Sequence, residues 1–338
     1  MPRTVSRPAL RVVASVVALL LSSAVAPAAT AAVPAAAGDA SAWNLIPADN
    51  GTQRGNYAYD VEPGQTLSDA LVITNSGTEQ LDLTLYASDA FTTPEGVLDL
   101  RLADEPKTDS GAWITLAEPS VSLQPGESRE VAFSIAVPAD ARPGDHPAGV
   151  ITSLTSAEAG SSLAVDRRLG IRVHLRVAGD LAPRAEVSGA SATYAPSWNP
   201  FAGGDLTVTY TLANTGDTRV TAADAVALAG PLGIGSVAAV PQATAEVLPG
   251  SAIVVERTFH GVAPLGWLSG TLTVAPEAVG LGAQMLDAIS VEVSTTTVSW
   301  ALIALLVLLA VVALLVVLLV RRARRRKAAA AAASSALA

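Results

Sequence analysis

Trp300 to Val320 is a run of 21 residues with no charged or strongly polar side chain, and no other feature of the 338-residue chain narrows its fold as much. At 1.5 Å per residue such a run makes a helix roughly 31 Å long, which matches the ~30 Å hydrocarbon core of a bilayer. Arg321, Arg322, Arg324, Arg325, Arg326 and Lys327 follow at once. Basic clusters of this kind stay on the cytoplasmic side, and Trp300 stands where an interfacial aromatic anchor belongs. The reading is a transmembrane helix over residues 299–320 and a basic cytoplasmic tail over 321–338. No Leu-Pro-x-Thr-Gly sorting site lies just ahead of the run; the nearest approach, Leu248-Pro249-Gly250-Ser251, is far upstream. The helix is therefore read as retained.

The other end carries an address of its own. Arg3, Arg7 and Arg11 precede a short apolar run, Val12 to Leu21, and Ala29-Thr30-Ala31 fits a cleavage site. This is the layout of a secretory signal peptide over residues 1–31. No Arg-Arg pair precedes the run, which points to general secretion rather than the twin-arginine route. The expected topology is one pass through the plasma membrane, with the N-terminus outside and the C-terminus cytoplasmic.

Between the two ends the chain reads as β. Leu81, Leu83 and Leu85 alternate with Asp82 and Thr84, and Val131, Phe133, Ile135 and Val137 alternate with small residues. The clearest run is Leu169, Ile171, Val173, Leu175 and Val177; Leu206, Val208, Tyr210 and Leu212 repeat the style, as do Leu272 and Val274. Period-two alternation means strands with one face buried and one solvated. Pro-Gly pairs at 63–64, 125–126, 143–144 and 249–250 and Asn-x-Gly at 75–77 and 214–216 punctuate the runs as turns.

The two halves share a loose pattern. Pro63-Gly64, a strand, then Asn75-Ser76-Gly77 resembles Gly203-Gly204, a strand, then Asn214-Thr215-Gly216. Leu123-Gln124-Pro125-Gly126 introduces a strand much as Leu248-Pro249-Gly250 does. A boundary near Gly179 to Arg184 leaves two units, 41–179 and 184–294, each large enough for a two-sheet core without disulfides. The fold class expected is an all-β ectodomain of two tandem immunoglobulin-like β-sandwiches on a membrane stalk, plus the one C-terminal transmembrane helix.

Charge and composition exclude several roles. All 30 acidic residues lie between Asp39 and Glu292, against 12 basic ones in that span, a net charge of −18. Such a body repels phosphate backbones, so nucleic acid is not a partner. The absence of cysteine rules out disulfides, thiolate metal sites and a cysteine nucleophile. His146, His174 and His260 are each isolated, and no nucleophile elbow, phosphate loop or zinc motif occurs. Asp49-Asn50-Gly51 and Gly144-Asp145 lack the repeated Asp spacing of a calcium loop and read as turns. The ectodomain's one lysine, Lys107, lies in a polar loop, which disfavours isopeptide crosslinks. No enzyme, cofactor or metal site is expected.

Two surface features are candidates for binding. Arg168, Arg172, His174 and Arg176 line one face of the strand ending at Val177. They form either a groove for an anionic polymer or carboxylate, using bidentate arginine contacts, or a set of cross-strand pairs with acidic neighbours. Trp43, Tyr57 and Tyr59, with Arg54 nearby, form an aromatic-rich entrance that could either stack on sugar rings or close the edge of the first sandwich. Trp113 reads as a core tryptophan.

A family resemblance gathers these pieces. Trp43-Asn44-Leu45-Ile46-Pro47, Tyr57-Ala58-Tyr59-Asp60-Val61-Glu62-Pro63-Gly64 and Asp69 to Gly77 come first. Tyr86-Ala87-Ser88-Asp89-Ala90, Gly111-Ala112-Trp113-Ile114 and Pro143-Gly144-Asp145-His146 leading into Gly149-Val150 follow in order. Together, over residues 43–155, they resemble the peptidoglycan-binding domain of the WxL-interacting protein family of Gram-positive cell surfaces. The resemblance implies a non-enzymatic protein of the cell-wall space whose first domain contacts peptidoglycan or another wall polymer. Secreted WxL-domain proteins or other surface proteins would be its partners. Residues 184–294 depart from the family's second domain, with Trp198-Asn199-Pro200-Phe201 and Gly230-Pro231-Leu232-Gly233 as their own markers. The alternative is a protein-directed surface adhesin or scaffold without glycan binding.

Overall fold

The computed structural model describes residues 41–157, 164–280 and 284–335. The leader expected over residues 1–31 lies outside them. The alternating runs form strands, and the strands sort into four sheets.

The first half contributes β1 (Trp43–Pro47), β2 (Tyr57–Val61), β3 (Thr66–Asn75), β4 (Leu81–Thr92), β5 (Leu98–Leu100), β6 (Ile114–Leu116), β7 (Ser120–Leu123), β8 (Ser128–Ala136), β9 (Gly144–Ala157) and β10 (Ala164–Val177). One sheet has the order β1-β3-β8-β6; the other runs β2-β10-β9-β4-β5, with β7 also on β4. Strand β2 lies parallel to β10 and the other pairs are antiparallel. Their inward faces share one core, built on Leu71, Ile73, Leu83, Phe133, Ile135 and Val173. The apolar positions of β4 and β8 are buried as the alternation requires. On β10 the buried pattern starts one step late: Ile171, Val173, Leu175 and Val177 are buried, but Leu169 is exposed.

Strand β4 breaks alternation for a reason the sequence does not display. From Leu85 to Asp89 every residue is buried, because the segment around Thr108 to Gly111 folds over its outer face. The Asp89 carboxylate anchors that segment, accepting from the amides of Thr108 (2.6 Å), Asp109 (3.1 Å) and Gly111 (2.7 Å). Three amide donors replace the water that burial removes.

The second half contributes β11 (Ala185–Ala195), β12 (Gly204–Asn214), β13 (Val220–Ala229), β14 (Val237–Ala238), β15 (Gln242–Ala243), β16 (Ala252–Val262), β17 (Gly266–Ala278), β18 (Gln284–Met285) and β19 (Ile289–Thr297). The sheet β11-β12-β16 faces one centred on β13 and β17, whose flanks carry β14, β15, β18 and β19. Leu206, Val208, Tyr210, Leu212, Leu272 and Val274 fill the core between them.

The helix α1 (Trp300–Ser335) follows after only Val298 and Ser299. Its Trp300–Arg322 portion is long and apolar enough to cross a membrane, and none of that portion is buried. Ser299 caps it, its hydroxyl accepting from the Leu302 amide at 3.2 Å. The expected stalk is absent. Strand β19 keeps its pairing with β17 up to Thr297 opposite Gly266, because its β-branched residues continue the ladder instead of leaving it.

The two sandwiches meet across a polar junction. Thr92 on β4 donates to the Glu246 carbonyl and accepts from the Leu248 amide, and the Val254 amide donates to the Pro94 carbonyl at 2.7 Å. At its centre lies Asp145, described below.

Candidate functional site

The aromatic entrance is built as core. Trp43 is buried, donates from Nε1 to Thr152 Oγ1 (2.8 Å), and carries the Arg167 guanidinium 5.4 Å from its ring centroid. Tyr57 is wholly buried; its hydroxyl donates to the Ala70 carbonyl and its ring meets Phe133 edge-on at 5.0 Å. Arg54 lies 4.8 Å over the Tyr57 ring and grips both Asp69 oxygens at 2.6 Å, while Tyr59 also donates to Asp69. Burial opposes ionisation of Asp69, but the bonds from Arg54, Tyr59 and the Ala70 amide outweigh it and hold the carboxyl below its ordinary value. Burial, with Asp69 adding to it, pushes both tyrosine hydroxyls well above theirs. Trp43 and Tyr57 therefore offer no ring face for a sugar, and Arg54, Tyr57, Tyr59 and Asp69 form a clamp that closes the sandwich edge. The scarcity of aromatics explains this, since a chain with 14 of them spends them on cores.

The arginine row on β10 divides. Arg176 sits opposite Asp145 in register and forks onto it through Nε and Nη2, both at 2.8 Å. It also donates to the carbonyls of Val279 and Gly280 in the second sandwich. From that side the Arg219 amide donates to Asp145 at 2.8 Å, and the Arg219 Nε lies 3.4 Å away. Burial resists the Asp145 charge, but the Arg176 and Arg219 bonds and charges outweigh it and keep the carboxyl below the usual carboxylate range. Gly144-Asp145 is thus no free turn: Gly144 opens β9, and Asp145 is the charge that ties the sandwiches together. Next along the row, His174 is half-buried with Nδ1 unpaired among the described residues; burial and the Arg219 charge lower its pKa.

Arg172 is exposed, and Arg168, also at the surface, lies 3.8 Å from Asp166 and bonds to Tyr86, which raises its pKa. Arg168 borders a recess of about 310 Å³ with Asp99, Leu100, Ile151, Asp166 and Gly170. Arg172 borders a second of about 210 Å³ with Gly96, Leu98, His174 and Glu246. Strand β5 forms a shared wall, held down by Leu100. A Cβ at Gly149 or Gly170 would come within 2.4 and 2.8 Å of that side chain, so any other residue there would displace Leu100.

A recess of about 550 Å³ opens at the junction beside Asp109, Arg142, His146 and Asp217. His146 pairs through Nδ1 with Asp109 (2.7 Å) and through Nε2 with the Arg142 carbonyl (2.8 Å), its ring 4.8 Å from half-buried Trp113. With both nitrogens engaged, the imidazole has no free position at which to take up a proton. Among the described residues no group of three or more His, Asp or Glu gathers to hold a metal. Asp49 spends an oxygen on the Gly51 amide, and Asp145 is already neutralised by arginine.

No family model matches the sequence, and no curated protein does. Among solved structures, the chain is similar to the class 5 fimbriae chaperone CfaA, at 10% identity and a TM-score of 0.33 over 74% of this chain and 98% of that one. It is also similar to the CsuC–CsuE chaperone–tip adhesion subunit pre-assembly complex of Acinetobacter baumannii, at 13% identity and TM-score 0.35 over 75% and 98%. The periplasmic chaperone SfaE gives 14% and 0.33 over 74% and 98%. At such scores these likenesses carry no functional argument.

Proposed function

We propose that the chain is a non-enzymatic, single-pass surface protein of the WxL-interacting type that binds peptidoglycan through its first sandwich. Helix α1 would hold it in the plasma membrane with the basic tail inside and both sandwiches in the cell-wall space. The observation that carries the reading is the pair Arg168 and Arg172, exposed along one wall of recesses in a body of net charge −18. The Arg172 guanidinium makes no hydrogen bond or ion pair with a described residue. Guanidinium groups suit the carboxylates of muropeptide stems, and Asp99 and Asp166 accept from sugar hydroxyls. Tethering to the membrane raises the local concentration, so weak contacts suffice. The order of motifs over residues 43–155 supports the same reading.

The test is co-sedimentation of the detergent-solubilised chain with purified sacculi, before and after removal of anionic wall polymers. Sedimentation with stripped sacculi that is lost in an Arg168→Ser, Arg172→Ser variant supports peptidoglycan binding. Loss of binding on stripping alone moves the ligand to the anionic polymer. No sedimentation with either preparation sinks the wall-binding reading.

A second reading, a protein-directed adhesin or scaffold, is favoured by β16. It is an outer strand, and among the described residues the Val254 amide donates across its free edge to Pro94. The remaining edge is available for strand addition.

A further inference from the structure

The end of the second sandwich from which α1 departs is unlike the rest of the molecule. Strand pairing places Thr297 opposite Gly266, Ala229 opposite Ser269, Val262 opposite Gly204 and Ala195 opposite Asp205. The loops at residues 196–203, 230–236 and 263–265 therefore emerge at the same end as the β19–α1 junction. None of the three, nor the junction itself, contains a charged residue.

What they present is apolar and unburied. Trp198 is 95% exposed, Phe201 83%, Leu232 98% and Trp267 55%. Large apolar side chains gathered on one surface mark an interaction site, whereas scattered ones do not. The loops are also braced in shape. Asn199 accepts from the Phe201 amide at 3.1 Å, and the Gly230 amide donates to the Ile234 carbonyl at 2.9 Å. Leu265 packs so closely on Gly235 that a Cβ there would lie 2.3 Å from it. Leu232 is held at φ +57, a left-handed conformation uncommon for leucine.

The occupant follows from distance. Only Val298 and Ser299 separate Thr297 from Trp300, and at ~3.6 Å per residue Thr297 lies within about 11 Å of the start of the span. A sandwich held that close brings this end to the level of the lipid headgroups, where tryptophan and other amphipathic or apolar side chains are favoured. We infer that the second sandwich docks on the outer leaflet, with Trp198, Phe201, Leu232 and Trp267 seated at the headgroup–acyl boundary around α1. The three loops bring no carboxylate to the surface, and Asp205 at the start of β12 bonds to His260 at 2.9 Å, which limits the repulsion that an acidic body meets at an anionic membrane. The inference concerns lipid and the second sandwich; it rests on α1 spanning the bilayer and is separate from the wall-binding reading.

The chain has no cysteine, so single labelling sites can be introduced cleanly. Ile234→Cys and Ala263→Cys, with Thr78→Cys at the far end of the first sandwich as reference, would each carry an environment-sensitive fluorophore. The full chain is reconstituted in phosphatidylcholine–phosphatidylglycerol vesicles containing a lipid with a nitroxide near the carbonyl end of its acyl chain, with insertion checked by flotation. No wall polymer is present, so the outcome is independent of peptidoglycan binding. The expected result is quenching several-fold stronger at Ile234→Cys and Ala263→Cys than at Thr78→Cys. It should fall to the reference level when Trp198→Ser, Phe201→Ser and Leu232→Ser are combined. Those side chains lie outside the core, so their loss leaves the fold intact. Equal quenching at all three labels overturns the inference. So does quenching that survives the triple substitution, which would reflect tethering alone. Labels shielded from water but not reached by the lipid nitroxide would also overturn it, and assign the tips to a protein contact.

Discussion

Asn75 and Asn214 make the same set of bonds in the two sandwiches. Asn75 Nδ2 donates to the carbonyls of Glu79 (2.8 Å) and Leu123 (3.0 Å); Asn214 Nδ2 donates to those of Thr218 (2.7 Å) and Val247 (2.9 Å). Each side-chain oxygen accepts from the glycine two residues on, and each carbonyl from the Pro-Gly turn glycine, Gly126 or Gly250. The asparagine closes an Asx turn and satisfies carbonyls that burial would otherwise strand. Replacing either by Ala leaves those carbonyls unpaired and should cost about 2–3 kcal/mol. Hydrogen exchange should show the loss confined to the first sandwich for Asn75→Ala and to the second for Asn214→Ala. Exchange that rises equally in both halves would contradict the equivalence.

The Asp89 carboxylate makes a second, more local prediction. Asp89→Ala removes the shared acceptor of the Thr108, Asp109 and Gly111 amides and should destabilise that cover by about 3 kcal/mol. The chain holds two lysines, Lys107 within this cover and Lys327 in the basic tail. A lysine-specific protease should therefore cut the variant at Lys107 at least tenfold faster than the parent, at protease levels where cleavage follows opening. Unchanged cleavage would mean that Asp89 is not what holds the segment.

Much of the architecture was legible from alternation, since Leu206, Val208, Tyr210 and Leu212 need only a facing sheet to be buried. The paired Asn-x-Gly and Pro-Gly signals likewise marked a true repeat. What escaped was set by parts of the chain distant in sequence. Asp145 reads as a turn residue because nothing nearby reveals that Arg219 will cover it. Arg176 looks like a member of an exposed row until the second sandwich supplies the Val279 and Gly280 carbonyls. Thr295 to Thr297 show no apolar alternation, yet they pair with Gly266 to Leu268. Trp43 and Tyr57 lie on different sheets, and the packing shows that both are buried in the first core.

Arg172 separates ligand recognition from fold. It is exposed on the polar face of β10 and makes no ion pair with a described residue, so Arg172→Ser should change stability by less than about 0.5 kcal/mol. Its loss should weaken sedimentation with stripped sacculi several-fold, whereas Tyr57→Phe, inside the core, should leave sedimentation unchanged. Equal binding by Arg172→Ser and the parent would remove this recess from consideration.

The junction should respond to pH in two opposite senses. The folded pKa of Asp145 is depressed, so its contribution is complete above the ordinary carboxylate value of about 3.9 and is lost as pH falls through the folded value. His146 behaves the other way. Burial disfavours its charge, but Asp109 and the Arg142 carbonyl prevail and raise its pKa. Its contribution is therefore complete below about 6.5 and fades as pH rises through the folded value. Asp145→Asn leaves Arg176 and Arg219 facing each other without their counter-charge and should cost about 3 kcal/mol at neutral pH. Denaturant midpoints of the full chain in detergent, followed from acid to mildly alkaline pH, should show the acid limb flattened in Asp145→Asn. The limb above pH ~6.5 should be flattened in His146→Gln. An acid limb that keeps its slope in Asp145→Asn would mean that other carboxylates carry it, and that Asp145 joins the sandwiches without governing their response to acid.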